Sequence, residues 1–196
     1  MRTRDENKEQ AIRQQAIAMI AKEGLDNFSV NKLARAAGVS PATLYIYYRD
    51  RDDLIVQLCN DVSVRMLEMS LKDFDPDVSF EEGLKRQWIN RAAHYMNYPL
   101  EVQFIEHVRY SPYYGKVAAM LNERFKDVMG RFVRNAIARK ELQKLPFEVY
   151  WSVAFAPLYQ LIRFHTQGYS MTSEKFDLTD DLLMQTLQLV LKALKP

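Results

Sequence analysis

Apolar residues recur every three or four positions along most of this chain, and this spacing restricts its fold more than any other sequence feature. Residues three or four apart lie on one face of an α-helix, whereas a half-buried β-strand alternates apolar and polar residues. Glycine, which weakens helices, occurs only 6 times in 196 residues. The sequence therefore predicts an all-α protein.

Glycine, proline and capping residues mark the ends of the predicted helices. Gly24 follows the first of them, and Pro41 stands in the first turn of the third, where its missing N–H costs nothing. The acidic stretch 72–79 lacks helical periodicity and contains Pro76, which indicates a connection. We predict helices over residues 7–23, 29–37, 41–48, 51–71, 80–97, 100–110, 114–141, 147–167 and 179–195.

Composition and charge exclude several classes of protein. Hydrophobic residues make up 48% of the chain and charged residues 27%, which excludes a disordered or collagen-like chain. The single cysteine, Cys59, cannot form a disulfide within the chain, and we expect it to be a small buried hydrophobe. We see no run of 18 apolar residues and no secretory leader, so we expect a soluble cytoplasmic protein with no membrane partner. The net charge of +2 is too small to indicate nucleic-acid binding by itself.

Residues 29–48, SVNKLARAAGVSPATLYIYY, carry the most specific pattern in the chain. They predict two short helices joined by a tight turn. Ala34 and Ala37 are small enough for close helix approach, and Gly38 can adopt the positive φ that such a turn requires. The pattern is typical of a helix-turn-helix, while an ordinary helical hairpin inside a core is the alternative.

The second helix of this pattern favours DNA binding over the plain hairpin. We expect Leu44 and Tyr48 to face inward and Tyr45 and Tyr47 to face outward. A hairpin buried inside a core would not expose two tyrosines, so this orientation argues against the plain hairpin. Residues 28–51 also carry four basic side chains against one acidic side chain. This part of the chain is therefore locally basic although the whole chain is nearly neutral.

Each residue type on this surface has a chemical reason to contact DNA. Ala42 and Thr43 can contact thymine methyl groups, whereas Lys32, Tyr47 and Arg51 can donate hydrogen bonds to phosphates. The predicted DNA-binding residues are Ser29, Lys32, Ser40, Pro41, Ala42, Thr43, Tyr45, Tyr47 and Arg51.

A longer pattern surrounds this segment. Within residues 12–58, the first predicted helix ends in the run KEGLDNFSV, and the run LARAAGVSPATLYIYYRDRDDL comes after it. This chained pattern resembles the TetR family of bacterial transcriptional regulators, although Tyr48 stands where the family most often has Phe, and Arg51 where it usually has Lys. The resemblance implies an all-helical homodimer whose N-terminal domain binds operator DNA and whose C-terminal domain binds an effector. Beyond about Leu71 no motif matches.

Two domains are predicted on this basis. Residues 1–50 form a three-helix helix-turn-helix DNA-binding domain, and residues 51–196 form a ligand-binding and dimerisation domain that begins with a connecting helix over about 51–71. The last two predicted helices, 147–167 and 179–195, are apolar around much of their circumference. We expect their second faces to be buried in a homodimer, with the central helix of a monomeric bundle as the alternative.

Aromatic residues are concentrated in the second predicted domain. Trp88 and Tyr95 lie seven residues apart on one helix face, and three further helices carry comparable pairs. Apolar faces with a few polar groups are typical of a small-molecule site, whereas a solid core is the alternative. The predicted ligand-binding residues are Trp88, Tyr95, Phe104, His107, Phe125, Met129, Phe155 and Tyr159.

We find no sequence motif for catalysis, a cofactor or a metal, and we expect a protein that is not an enzyme. We predict a ligand-responsive transcriptional regulator, most often a repressor among the proteins it resembles. It would bind palindromic double-stranded DNA as a homodimer and leave it when a small apolar or amphipathic effector binds. The alternatives are a helical small-molecule-binding protein or enzyme without DNA function, and a same-fold architectural DNA-binding factor without an effector.

Overall fold

The structure is a computed structural model that describes residues 5–169 and 175–196, and only the backbone of residues 117–124. These residues contain helices and no strand, which confirms the predicted all-α fold. None of the described helices is both long and apolar enough to cross a membrane. The helices are α1 (Glu6–Glu23), α2 (Val30–Ala36), α3 (Pro41–Tyr47), α4 (Arg51–Ser70), α5 (Phe80–Asn97), α6 (Pro99–Arg109), α7 (Pro112–Ala138), α8 (Phe147–Gln167) and α9 (Asp180–Leu194).

The predicted helix bounds differ most from the structure at α7. This helix begins at Pro112 rather than at residue 114, because the first turn of a helix tolerates a proline. It ends at Ala138 rather than at residue 141, and Lys140 beyond it has a φ of 59°, which a helix cannot continue through. The connection predicted at 72–79 is non-helical, as expected.

Side-chain caps fix where the first three helices begin. Asp5 accepts hydrogen bonds from two N–H groups in the first turn of α1, which starts α1 one residue earlier than predicted. Ser29 accepts from the N–H of Lys32, and Ser40 accepts from the N–H of Thr43. Such caps satisfy N–H groups that have no partner inside the helix.

The described helices divide into two packing units. The first contains α1 to α3, most of α4, α6 and the start of α7. Within it, α1 packs against α6 and α2, and α2 packs against α3. Cys59 is fully buried, as expected, and burial raises the pKa of its thiol. The core of this unit includes Ile12, Ile20, Leu33, Leu44, Leu58, Phe104 and Val108.

The second unit contains the end of α4, α5, the rest of α7, α8 and α9. Within it, α8 packs against both α9 and α5. Gly83 lies against the buried ring of Phe132, so that a Cβ at this position would overlap the ring. The core includes Leu84, Trp88, Phe132, Phe155, Leu158, Leu187 and Leu191. The predicted functional boundary between residues 50 and 51 stays a prediction, because packing units do not report function.

Candidate functional site

A tight turn joins α2 to α3. The N–H of Val39 donates to the carbonyl oxygen of Ala34 at 2.9 Å, and the N–H of Ala37 donates to that of Leu33 at 2.8 Å. Gly38 has a φ of +66°, so the positive φ predicted for it is confirmed. The inner surface of the pair is closed by buried Leu33, Ala34 and Leu44. The two helices are thereby held as a compact unit with the outer side of α3 free.

The outer side of α3 carries an exposed stripe. Ala42, Tyr45 and Ile46 stand at i, i+3 and i+4, and all three are exposed. Tyr45 is 56% exposed and Ile46 is 41% exposed. Ile46 was not among the predicted contacts, although its helical spacing from Ala42 could have identified it.

Tyr47 does not face outward, and this part of the prediction is wrong. Its side chain is buried, and its hydroxyl donates to the carbonyl oxygen of Asp5 and accepts from the N–H of Asp5, both at 3.1 Å. Tyr47 stands three residues after Leu44 and beside Tyr48, so helical geometry places all three on the inner face. The predicted phosphate contact of Tyr47 stays a prediction, and it now requires that Asp5 leave the hydroxyl.

The predicted hydroxyl contacts at the helix starts have local roles. The Ser40 Oγ accepts from the N–H of Thr43 at 3.2 Å and lies 2.9 Å from the Thr43 Oγ1. The Ser29 Oγ accepts from the N–H of Lys32 at 3.3 Å. Pro41 occupies the first position of α3 and is exposed. These residues set the start and direction of each helix.

Basic side chains surround this surface. The Lys32 ammonium donates to the carbonyl oxygen of Asn27 at 3.1 Å and lies 3.7 Å from a Glu23 carboxylate oxygen. Arg35 is exposed on α2. The Arg49 guanidinium lies 3.2 Å from Asp53, with its side chain 85% exposed. These cations are all open to solvent, so an anionic partner can reach them.

Arg51 is held inside the first unit. Its guanidinium donates to the carbonyl oxygens of Leu25 at 2.8 Å and Phe28 at 3.3 Å, and to the Tyr113 hydroxyl at 3.0 Å. The Tyr113 hydroxyl in turn donates to Asp52 at 2.7 Å. Arg51 therefore joins the loop before α2 to the starts of α4 and α7, while its predicted phosphate contact stays a prediction.

Four of the predicted ligand residues come together in the second unit, around Trp151. The rings of Tyr95 and Tyr159 stack with their centroids 5.3 Å apart. The Trp151 ring lies 5.8 Å from that of Phe125 and 4.6 Å from that of Phe155. Arg91 links the two pairs, because its guanidinium lies over Trp151 and donates to the Tyr159 hydroxyl.

The other four predicted ligand residues are placed differently. Trp88 is fully buried in the second core, where its Nε1 donates to the carbonyl oxygen of Ala154 at 2.8 Å, and Met129 is buried in the same core. Phe104 and His107 belong to the first unit, where Phe104 is fully buried and His107 is exposed.

Comparison with known proteins adds independent information. The family model described as "Bacterial regulatory proteins, tetR family" matches residues 12–58. A TetR family transcription regulator from Marinobacter aquaeolei VT8 has a similar structure, with a TM-score of 0.84 and 27% identity over 100% of this chain and 99% of that chain. Residues 12–58 thus match the TetR family of bacterial regulatory proteins, and the chain as a whole is similar in structure to a regulator of that family. A TetR-family regulator from Haemophilus influenzae has the same fold, with a TM-score of 0.79 and 20% identity over 97% of this chain and 98% of that chain.

Two curated relatives match only part of this chain. An uncharacterized HTH-type transcriptional regulator from Haemophilus influenzae is 35% identical over 72 residues, which are 37% of this chain and 38% of that protein. The fatty acid metabolism regulator protein of Bacillus subtilis is 28% identical over 69 residues, which are 35% of this chain and 36% of that protein. The matched region thus spans less than two fifths of either relative.

A set of polar residues in the second unit was not predicted from the sequence. Arg91 stands three residues after Trp88 and four before Tyr95, so it shares the helix face on which only the aromatic residues were counted. Gln87 lies one turn before Arg91 and is fully buried. Tyr150, at the start of α8, is buried as well. The signal in the sequence that could have identified this set is the charged residue Arg91, which stands at the spacing of core positions.

Proposed function

We propose that this chain is a DNA-binding transcriptional regulator that acts on a palindromic operator as a homodimer. The observation that carries the proposal is the exposed stripe of α3, with Ala42, Tyr45 and Ile46 turned outward from the helix-turn-helix. The major groove of B-DNA is wide enough to admit one α-helix. An apolar and aromatic stripe on such a helix suits contacts with base edges and sugars.

Different residues would supply affinity and sequence preference. Ala42 and the Thr43 methyl group suit contacts with thymine methyls, which differ between base pairs. Lys32 and Arg35 are exposed on α2, and their charges suit phosphates, which carry no sequence information. Mutating the first pair should therefore alter sequence preference, whereas mutating the second pair should weaken binding to all duplexes.

Dimerisation would use α8 and α9. On α9, Leu182 and Leu189 stand seven residues apart and are 36% and 61% exposed, while Leu183 and Leu187 face the core. On α8, Val149 and Ala156 are exposed with the same spacing. Each helix thus has one apolar stripe in the core and a second on the surface. Two copies of this face would form a four-helix interface about a two-fold axis.

Selection from a random pool of DNA duplexes tests the DNA-binding proposal. Because a two-fold dimer places two recognition helices in successive major grooves, the selected site should be an inverted repeat with half-site centres about one helical turn apart, or a multiple of that. Recovery of duplexes without an inverted repeat would contradict the proposal.

Sedimentation of Leu189→Glu tests the proposed dimer. A carboxylate in the centre of an apolar interface is costly, so this variant should sediment as a monomer. Leu100→Glu is the matched control, because Leu100 is 37% exposed on α6, which belongs to the first packing unit. A Leu189→Glu variant that remains dimeric would place the interface elsewhere.

We also infer that a small apolar or amphipathic effector controls this regulator, which would make it a repressor that releases DNA. The aromatic residues around Trp151 support an effector site in the second unit. Two helices, α4 and α7, have residues in both units, and α4 begins four residues after α3 ends. A ligand would shift the equilibrium only if it binds the DNA-incompetent arrangement more tightly. Under this proposal, the chain binds DNA and regulates transcription in the cytoplasm, and it catalyses no reaction.

A further inference from the structure

Buried polar groups without partners lie on α5 and α8 in the second unit. Among the side chains that the structure describes, neither the Nε2 nor the Oε1 of fully buried Gln87 has a hydrogen-bond partner. The same holds for the buried Tyr150 hydroxyl and for the Nε and Nη2 of Arg91. Leaving such groups unsatisfied costs folding free energy, so each of them calls for a partner, such as a bound ligand or water.

The surroundings of Arg91 fix the plane of its guanidinium. Its Cζ lies 4.7 Å from the ring centroid of Phe155 and 5.3 Å from that of Trp151. Its Nη1 donates to the Tyr159 hydroxyl at 3.0 Å. These contacts leave the edge formed by Nε and Nη2 without a partner. Two parallel N–H groups on one edge match the two oxygens of a carboxylate.

The charge of the site also favours an anion. None of the ion pairs among the described side chains includes Arg91. Burial raises the pKa of Tyr150, with the charge of Arg91 acting in the opposite direction, so its hydroxyl stays protonated and able to donate. Gln87 adds amide donors one helical turn from Arg91. The available groups are mostly donors, and the only formal charge among them is positive.

We propose that Arg91 binds the carboxylate of an amphipathic organic anion, with Gln87 and Tyr150 donating further hydrogen bonds. The apolar body of the anion would lie against the aromatic residues around Trp151. This inference rests on the effector role proposed above and names the chemical class of the effector. It differs from the prediction made on aromatic residues alone, which specified an apolar or amphipathic molecule without a charged group.

Calorimetric titration of the full chain without DNA tests the anion site. The probes are octanoate and 4-phenylbutanoate, each compared with its neutral primary amide, which has nearly the same shape. A charge-assisted bidentate pair in a buried site should make each carboxylate bind about tenfold or more tightly than its amide. Equal affinities of acid and amide, or no binding of either carboxylate at millimolar concentration, would overturn the proposal.

Three variants locate the binding group. Arg91→Met removes the charge but keeps an unbranched apolar side chain, so the preference for carboxylate over amide should disappear. Arg86→Met is the matched control, because Arg86 is exposed on the same helix, and it should keep the preference. Arg91→Lys should keep part of the preference, since it retains the charge but loses the two-pronged edge. An Arg91→Met variant that still prefers the carboxylate would overturn the proposal.

Tyr150→Phe provides a second test in case Arg91→Met fails to fold. This change removes one oxygen from a buried ring, and it should lower carboxylate affinity severalfold while leaving amide affinity unchanged. An unchanged carboxylate affinity would exclude the Tyr150 hydroxyl from the site.

The outcome is separable from that of the proposed regulatory function. If neither carboxylate binds but the chain still selects an inverted repeat, the anion site fails and DNA binding stands. If the carboxylates bind through Arg91 but leave the DNA complex unchanged, the anion site stands and the effector role fails.

Discussion

The two packing units depart from the usual sorting of residues in opposite directions. The first unit exposes apolar and aromatic side chains, Tyr45 and Ile46, on a short helix. The second unit buries Gln87, Tyr150 and two guanidinium nitrogens of Arg91 without enough partners. Exposed apolar side chains gain nothing from burial, and buried polar groups without partners cost free energy, so neither arrangement stabilises the fold. An exposed apolar stripe suits a large partner, whereas buried unpaired donors suit a small ligand.

Gly83→Ala measures how tightly the second unit is packed. A Cβ at Gly83 would overlap the buried Phe132 ring, so we expect a loss of about 2 to 3 kcal/mol in the free energy of unfolding. Chemical denaturation measures it.

Gly115→Ala is the matched control for this change. Gly115 is also in a helix, but no atom beyond its own neighbourhood lies within 4 Å of an added Cβ. The control should therefore gain about 0.5 to 1 kcal/mol from the lower backbone entropy of alanine. Equal effects at the two positions would show that the Gly83 contact is not tight.

Tyr45→Ala should weaken DNA binding while leaving the stability of the fold nearly unchanged. Because Tyr45 is exposed, the free energy of unfolding should change by less than about 0.5 kcal/mol. Loss of a groove contact should weaken operator binding by about 1 to 3 kcal/mol in an electrophoretic mobility titration. Tyr110→Ala serves as control, since Tyr110 is 89% exposed in the same unit but outside the helix-turn-helix. Similar DNA affinities of both variants would remove α3 from the interface.

Arg51→Met separates an internal role from a phosphate contact. Since its guanidinium bonds Leu25, Phe28 and Tyr113, we expect a loss of about 1 to 2 kcal/mol in the free energy of unfolding. The salt dependence of DNA binding should keep its slope. Lys32→Met, by comparison, should lower that slope by about one contact and leave stability nearly unchanged. A reduced slope in Arg51→Met would instead support the phosphate contact that the sequence predicts for Arg51.

The sequence was most informative where structure depends on neighbouring residues. Gly38, Ser40 and Pro41 specify the turn and the start of α3 through their own backbone and side-chain chemistry, so the helix-turn-helix could be predicted. Helix periodicity likewise predicted α5 and α8 to the residue. The orientation of Tyr47 was also readable, since it follows Leu44 by three residues.

The rest depends on contacts between distant parts of the chain. Arg51 meets Tyr113 and Gly83 meets Phe132 only after the helices have packed, and neither sequence position indicates its partner. The unpaired state of Arg91 is likewise a property of the folded unit. The spacing of Arg91 from Trp88 and Tyr95 was available in the sequence, but only the structure gives the contacts of its guanidinium.

The most direct test of the whole account is the affinity of octanoate measured with and without the selected operator duplex. If the anion releases DNA by favouring an incompetent arrangement, linkage requires that saturating operator weaken octanoate binding by the same factor, about 5- to 150-fold for a typical coupling of 1 to 3 kcal/mol. Calorimetry on the full chain measures both affinities. A lower octanoate affinity in the presence of operator is the predicted result, and an equal affinity in the two titrations would contradict the proposed coupling between DNA reading and anion binding.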